Sequence, residues 1–158
     1  LTDCDPGNLF TVRNVANLVP PCETGGDYHG TSAAIEFAVN NLNVENIIVM
    51  GHANCGGIQA LWDDDGTVKS QFIQPWVFIA DKAREKVKKE HAGKDRKQQL
   101  TACEQEAILV SLENLLTFKC IKERLEQGNI SLHGWYFDVR IGELFSYQAQ
   151  TNSFEIVR

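Results

Sequence analysis

Residues 46–57 read NIIVMGHANCGG, an apolar run that ends at a glycine and continues into a polar, glycine-rich turn. A compact apolar run of this length, followed directly by glycine, is typical of a strand buried on both faces of a parallel sheet, and we predict it at 46–50. The turn leads into a predicted short helix at 58–62. The segment therefore predicts a strand–turn–helix unit of an α/β protein.

Helical patterns lie on both sides of this unit. Upstream, Thr31 or Ser32 is a suitable cap for a helix that runs to about Asn41. The apolar face of that helix is expected to comprise Ala34, Ile35, Ala38, Val39 and Leu42. Downstream, apolar residues at helical spacing over 76–87 predict an amphipathic helix that ends at 91–94. A second long helix begins at about Leu100, with Thr101 and Glu104 at the spacing of a capping box, and continues or restarts through 118–127.

Strand patterns complete the arrangement. We predict a short strand at 9–12, a longer one at 130–139, and a terminal hairpin that pairs 143–147 with 154–157. Because strands and helices alternate through most of the chain, the sequence predicts an α/β fold. We expect a mostly parallel central β-sheet flanked by helices, with a C-terminal hairpin, and a single domain over 1–158.

Composition and charge exclude several classes of protein. The hydrophobic fraction is 43%, and 15 basic against 21 acidic residues give a formal net charge of −6. This fraction is ordinary for a globular protein and argues against a disordered chain. Nucleic-acid binders usually carry a basic field, so we expect no nucleic-acid partner. The longest unbroken apolar run, 76–80, is too short to span a membrane, so we expect no membrane partner.

Cysteine usage indicates the compartment. The five cysteines, at positions 4, 22, 55, 103 and 120, are odd in number and irregularly spaced. In a chain without a secretory leader, this pattern favours a reduced, cytoplasmic compartment over a disulfide framework. Cys103 and Cys120 fall in helical patterns and are expected to be small core side chains. Metal binding is then the first special use to consider for the others.

His52 and Cys55 are the candidate metal ligands. Imidazole nitrogen and thiolate sulfur both bind zinc well, and two intervening residues allow one turn to direct both side chains at one ion. Two alternatives remain open on spacing alone. The pair can simply occupy a strand–helix junction, since zinc needs at least three protein ligands. A phosphate loop is a weaker interpretation, because neither G-x-G-x-x-G nor G-x-x-x-x-G-K is present.

Four motifs, in their expected order, resemble those of the β-class carbonic anhydrases. They are PGNLFTVRNVAN at 6–17, SAAIEFAV at 32–39, GHANCGG at 51–57 and HGWYFD at 133–138. The similarity runs from about Leu1 to Phe154. It implies the fold of that family for the whole chain.

The resemblance also implies a chemistry. His52 and Cys55 correspond to two of the family's three protein ligands to Zn2+, and the Gly56 amide corresponds to a group that holds bicarbonate beside the metal. The implied reaction is the reversible hydration of carbon dioxide to bicarbonate and a proton by a zinc-bound hydroxide. The implied assembly is a homodimer or a larger assembly of dimers.

One family motif is absent from the sequence. The third zinc ligand and a catalytic Asp–Arg pair belong to a C-x-D-S-R motif that precedes the P-G-x-L-F segment. Cys4 lies past the place of that motif, and we do not expect it to be a ligand. We expect the missing part of the family domain to precede Leu1, and this chain alone to bind zinc weakly and turn over poorly.

Two other functions remain open. One is a non-catalytic domain that keeps the fold with an incomplete metal site, and the other is a related zinc hydrolase acting on a carbon dioxide analogue such as carbon disulfide. At Phe137 some family members have a tyrosine that helps to form an inhibitory bicarbonate pocket with the arginine matching Arg13. We therefore expect no such regulation here. His29, His91 and His133 are expected to be surface or structural residues.

Overall fold

The computed structural model describes residues 3–23, 25, 29–66 and 70–157 of the 158. Its helices are α1 (Gly30–Asn40), α2 (Gly56–Trp62), α3 (Ile73–Val77), α4 (Asp81–Glu90), α5 (Arg96–Leu115) and α6 (Lys119–Glu126), with 3₁₀ helices at Val15–Asn17 and Phe78–Ala80. Its strands are β1 (Asn46–His52), β2 (Ser131–Asp138), β3 (Glu143–Gln148) and β4 (Ser153–Ile156). The α/β class, the flanking helices and the C-terminal hairpin are confirmed.

The described sheet has the strand order β1-β2-β3-β4. β1 pairs with β2 in parallel, with Gly51 opposite Tyr136, whereas β2–β3 and β3–β4 are antiparallel. The expectation of a mostly parallel sheet therefore holds for one of the three described pairings. The reason lies in the connections: a parallel pair needs a long crossover, here α2 to α6, whereas short turns join β2 to β3 and β3 to β4 and permit only antiparallel pairing.

β1 is covered on one face only. Val49 and Gly51 are buried, and a Cβ added to Gly51 would lie 2.9 Å from Cδ1 of Ile108, so α5 packs tightly on this face. Ile48 and Met50 point the other way and remain 39% and 37% exposed. The prediction of a strand buried on both faces is therefore wrong, because the apolar run supplies side chains to two faces while the described helices cover one.

α5 lies at the centre of the packing. Ile108 and Leu115 join the core cluster that contains Val49 of the sheet, while Ala107 and Val110 join a second cluster with residues of α2 and α4. A helix enclosed on two sides needs apolar side chains on both, which explains its weak separation of polar and apolar faces. Among the described residues, no helix combines the length and the apolar composition that crossing a bilayer requires.

The segment before α1 is not a strand. Residues 9–12 belong to no described strand or helix, and the chain instead turns in the 3₁₀ helix Val15–Asn17. Ala16 and Asn17 have φ angles of 62° and 50°, in the left-handed region. The Asn14 side chain closes the turn, since its Nδ2 donates to the Leu18 carbonyl at 2.8 Å and its Oδ1 accepts the Leu18 amide at 2.9 Å. These contacts direct the segment onto the helical layer, where Leu18 is fully buried.

Helix α5 begins earlier than the sequence predicts. Asp95 is its N-cap, accepting the Gln98 amide at 2.9 Å, and the Gln98 side chain accepts the Asp95 amide at 3.3 Å. This is the capping box, so the prediction of a box at Thr101 and Glu104 is wrong. Glu104 instead lies within the helix and is buried.

The other helices agree in position and differ in detail. The predicted helix over 76–87 is divided into α3, a 3₁₀ turn and α4. On α1, Ile35 and Val39 are buried as expected, but Leu42, beyond the helix end, is 47% exposed. α6 ends as predicted, with Gly128 at a φ of 70°. The hairpin pairs the two predicted segments, with Tyr147 opposite Phe154.

The turn between β2 and β3 is closed by an ion pair. Asp138 ends β2 and is buried, and its Oδ1 accepts both the Arg140 amide at 2.9 Å and Arg140 Nε at 2.8 Å. The Arg140 guanidinium also bonds Oδ2. These hydrogen bonds hold the pKa of Asp138 at about 2, below its usual value. The carboxylate is therefore the favoured form in the folded protein over most of the pH scale.

Gly57 allows α2 to pack on the Val15–Asn17 turn. A Cβ at position 57 would lie 2.7 Å from Val15 Cγ1 and 2.9 Å from Ala16 Cβ. We expect Gly57→Ala to lower the free energy of unfolding by about 1–3 kcal/mol, because the turn must shift. Urea unfolding measures this change in the free energy of unfolding. Gly56→Ala is the matched control, since a Cβ there meets nothing within 4 Å and should change stability by less than about 0.5 kcal/mol. Equal effects at the two positions would contradict this account of the packing.

Asp138 should make stability pH-dependent at acidic pH. Because its folded-state pKa of about 2 lies below the usual carboxyl value, its contribution is complete above about pH 4 and is lost as the pH falls towards 2. We expect wild type to be more stable than Asp138→Asn above pH 4, with the gap narrowing steadily below it. Denaturant unfolding at several pH values measures the gap. A gap that stays constant from pH 5 to pH 2 would refute the assignment.

Candidate metal centre

The two predicted ligands lie where β1 ends and α2 begins. His52 is the last residue of β1, opposite Phe137 of β2, and Cys55 is the N-cap of α2. The Ala53 amide donates to the Phe137 carbonyl at 2.9 Å, so strand pairing continues one residue into the turn. Asn54 has a φ of 58°, a left-handed conformation that asparagine adopts more readily than most residues. The turn thus places both side chains at the carboxyl edge of the sheet, a common position for ligand sites in α/β proteins.

His52 is oriented by its own turn. Its Nδ1 lies 2.9 Å from the Ala53 carbonyl oxygen, and the imidazole is exposed. A carbonyl oxygen only accepts hydrogen bonds, so this contact assigns the proton to Nδ1 and leaves the Nε2 lone pair available. A hydrogen bond of this kind, from the second ring nitrogen to a backbone carbonyl, is the usual support of a metal-ligating histidine.

Two hydrogen bonds hold the backbone of Cys55. The residue is only 4% exposed, its carbonyl accepts the Gln59 amide at 3.0 Å, and its own amide donates to Glu104 Oε1 at 2.9 Å. Its thiol is a soft donor suited to zinc. Contacts to both α2 and α5 therefore fix the backbone of Cys55.

Glu104 and Tyr136 belong to this arrangement, although sequence reasoning missed both. Glu104 is 3% exposed, and its Oε2 accepts the Tyr136 hydroxyl at 2.9 Å. Burial raises the pKa of Glu104, while hydrogen bonds from the Cys55 amide and the Tyr136 hydroxyl oppose that shift. Burial, together with the neighbouring carboxylate, also raises the pKa of Tyr136. The available signal was a glutamate at a position of α5 where Cys103 and Ala107 indicate a buried face.

An open pocket lies beside this network. Its volume is about 320 Å³, and Glu104 and Asn54 form part of its wall. The remaining lining residues are Gln59, Arg96, Lys97, Leu100 and Thr101. Arg96 Nη2 lies 2.6 Å from Asp63 Oδ2, so the positive charge of Arg96 in the pocket wall is already paired with a carboxylate.

The donors present fit zinc as part of a ligand set. His52 and Cys55 supply one nitrogen and one sulfur, both suited to Zn2+. Within the described ranges no group of three or more His, Cys, Asp or Glu side chains is placed to hold a metal ion, so Cys4 is not brought to the pair. Gly56, the first residue of α2, is exposed, and a Cβ added to it would meet nothing within 4 Å.

The other singled-out residues lie outside this arrangement. His133 bonds the Asn46 side chain at 2.9 Å, as expected of a satisfied strand histidine, and His29 is exposed. Cys103 is fully buried, and burial raises the pKa of its thiol to about 12, which makes it an inert core residue. Arg13 is exposed in the extended segment before the 3₁₀ turn.

Known proteins are similar to this chain in sequence and in fold. The carbonic anhydrase family model matches residues 1–144. Beta carbonic anhydrase 5, a chloroplastic protein of Arabidopsis thaliana, is 50% identical over 135 residues, which are 84% of this chain and 44% of that protein. The structure of the β-carbonic anhydrase CcaA matches with a TM-score of 0.90 at 30% identity, covering 97% of this chain and 74% of the other. A tetrameric β-carbonic anhydrase of Sordaria macrospora matches with a TM-score of 0.79 at 26% identity, covering 90% and 69%.

These similarities extend over nearly all of the chain, although the chain spans less than half the length of the Arabidopsis protein. The family match includes the His52–Cys55 turn as well as β2 and the start of β3. Similarity of sequence and similarity of fold therefore point to the same family. The chain belongs to the carbonic anhydrase family, in its β class.

Proposed function

We propose that this chain is part of an enzyme that reversibly hydrates carbon dioxide to bicarbonate and a proton, with Zn2+ held in part by His52 and Cys55. The observation that carries the proposal is the turn after β1. There the Ala53 carbonyl fixes the His52 tautomer and the left-handed Asn54 places Cys55 on the same edge of the sheet. The family of the chain supports the reaction class.

His52 and Cys55 would hold the metal through Nε2 and Sγ. Zinc bound there supplies a Lewis acid that lowers the pKa of a coordinated water. The part played by this chain is to orient the two ligands before the metal arrives. The Ala53 carbonyl orients His52, and the contacts of the Cys55 amide and carbonyl orient Cys55.

Gly56 would bind the bicarbonate through its backbone. It is the first residue of α2, so its amide has no acceptor within the helix and is available to an anion. The open space at the position of its missing Cβ permits an oxygen atom to approach that amide closely. This supports the substrate-binding role that the family resemblance implies.

The complete site would need the C-x-D-S-R segment. Its cysteine would add a third protein ligand, and its Asp–Arg pair would orient the reacting groups.

A second candidate function, a non-catalytic domain with an incomplete metal site, is favoured by one observation. Among the described residues, no group of three or more His, Cys, Asp or Glu side chains is placed to hold a metal ion.

We further propose that the chain assembles as a homodimer through an apolar patch of five side chains, Leu9, Phe10, Val12, Val15 and Phe37. Each is 45–50% exposed. The ring centroids of Phe10 and Phe37 lie 5.9 Å apart, so the segment before the 3₁₀ helix Val15–Asn17 rests on α1. Val15 is also packed against Gly57, one residue from Gly56, which places one end of this patch beside the proposed site.

The cytoplasmic location inferred from cysteine usage stays a prediction.

Zinc binding and hydration test the enzymatic proposal. We expect a chain extended at its N-terminus by a C-x-D-S-R segment to bind about one zinc per chain and to hydrate carbon dioxide. We expect the 158-residue chain to bind zinc more weakly and to turn over poorly. Zinc content by atomic absorption and stopped-flow hydration assays measure both properties.

Substitutions in the extended chain locate the metal. His52→Ala and Cys55→Ser should each remove most of the zinc and the activity, whereas Cys22→Ser, at an exposed thiol, should change neither. An extended chain that binds stoichiometric zinc without hydrating carbon dioxide would exclude the enzyme and favour the non-catalytic domain. Zinc retained in both ligand variants would exclude the assigned site.

Sedimentation velocity tests the apolar patch. Phe37→Glu should shift the chain from dimer to monomer, because it places a charge within a surface that the dimer buries. Phe72→Glu is the matched control, since Phe72 is 75% exposed and lies outside the patch. A Phe37→Glu variant that remains dimeric would exclude this surface.

A further inference from the structure

Glu104 is a buried carboxylate located directly behind Cys55. Each of its oxygens accepts a hydrogen bond from a different part of the fold. Oε1 accepts the Cys55 amide of the metal-ligand turn, and Oε2 accepts the Tyr136 hydroxyl of β2, each at 2.9 Å. Glu104 therefore joins α5, the turn and the sheet at one point.

Helix packing does not explain a carboxylate at this position. The neighbouring side chains on the same face, Cys103 and Ala107, are apolar and fully buried. None of the ion pairs among residues 3–23, 25, 29–66 and 70–157 includes Glu104. Burying a carboxylate without a basic partner costs free energy, and an apolar residue would avoid that cost. The hydrogen bonds that Glu104 accepts from the Cys55 amide and the Tyr136 hydroxyl therefore indicate why a carboxylate is present at this position.

We propose that Glu104 is a positioning residue of the metal centre: it fixes the Cys55 amide, and with it the direction of the Cys55 thiol, while Tyr136 holds the carboxylate in place. This inference rests on the proposed function, since it assigns the thiol to a metal. Ligands of metal sites are generally oriented by outer hydrogen bonds, and loss of such a bond typically lowers metal affinity 10- to 100-fold.

The two ligands are supported in different ways. His52 is oriented by the carbonyl of its own neighbour, Ala53, whereas the amide of Cys55 depends on a residue 49 positions away in the sequence. The Cys55 carbonyl bonds within α2 and fixes the helix rather than the approach from the turn. The Glu104 hydrogen bond is thus the tertiary contact that sets the Cys55 amide.

Metal affinity in the 158-residue chain tests the role of Glu104. Co2+ replaces zinc as the probe, because its charge-transfer absorption reports directly on the metal–thiolate bond. We expect Glu104→Met to weaken Co2+ binding at least tenfold and to reduce the thiolate band at saturation. Glu104→Gln keeps an oxygen that can accept the Cys55 amide, so it should restore most of the affinity. Tyr136→Phe removes only the hydroxyl and should give an intermediate loss.

Glu106→Gln is the matched control. Glu106 lies two residues further along α5 and pairs with Lys86 at 2.7 Å, at the surface. The Glu106→Gln substitution should leave both the Co2+ affinity and the thiolate band unchanged. A role confined to holding α5 in place would lower the melting temperature of the Glu104 variants and leave their spectra at Co2+ saturation like wild type. That result would overturn the proposal.

Hydrogen exchange gives a second, metal-free test. In the apo chain we expect the Cys55 amide to exchange at least tenfold faster in Glu104→Met than in wild type, and to remain protected in Glu104→Gln. If Glu104→Met does not fold, Tyr136→Phe and Glu104→Gln decide: wild-type exchange and Co2+ affinity in Tyr136→Phe would overturn the inference. If neither the 158-residue chain nor the chain extended by the C-x-D-S-R segment binds Co2+ through Cys55, the proposed function fails, and amide exchange still decides whether Glu104 fixes the turn.

Discussion

The parallel pairing of β1 with β2 is the constraint on which the other features depend. Parallel strands cannot be joined by a tight turn, so the chain between them must leave the sheet and return. That crossover contains α2 to α6, which form most of the helical layer. Because both strands end at the same edge, the pairing also brings the His52–Cys55 turn next to Tyr136 and Asp138. Fold and candidate site therefore have one origin.

Much of this arrangement could be predicted from local sequence. β1, the hairpin and the glycine that ends α6 follow from short-range patterns, and each lies within a few residues of its expected position. His52 and Cys55 could be proposed as metal ligands because both side chains lie within four consecutive residues. Features of this kind depend on neighbours in the sequence, and the sequence displays those neighbours directly.

The features that could not be predicted depend on distant contacts. Glu104 resembles a capping residue because Thr101 precedes it by three positions, and only the packing of α5 against the turn shows that it is buried. The exposed face of β1 was missed for the same reason: Ile48 and Met50 are apolar whether or not a helix covers them. The segment at 9–12 has the composition of a strand, but the left-handed turn at Ala16 and Asn17 directs it elsewhere.

The different supports of the two ligands have a consequence for how the molecule fluctuates. Folded proteins open locally in cooperative units, and a turn can separate from a helix without global unfolding. A separation of the turn from α5 would break the Glu104 contact and free the Cys55 amide, while the contact between His52 and Ala53 lies within the turn and would survive. The proposed sulfur ligand would then lose its orientation first, with the imidazole still aligned. The site would re-form from this half-ordered state when the Cys55 amide returns to Glu104.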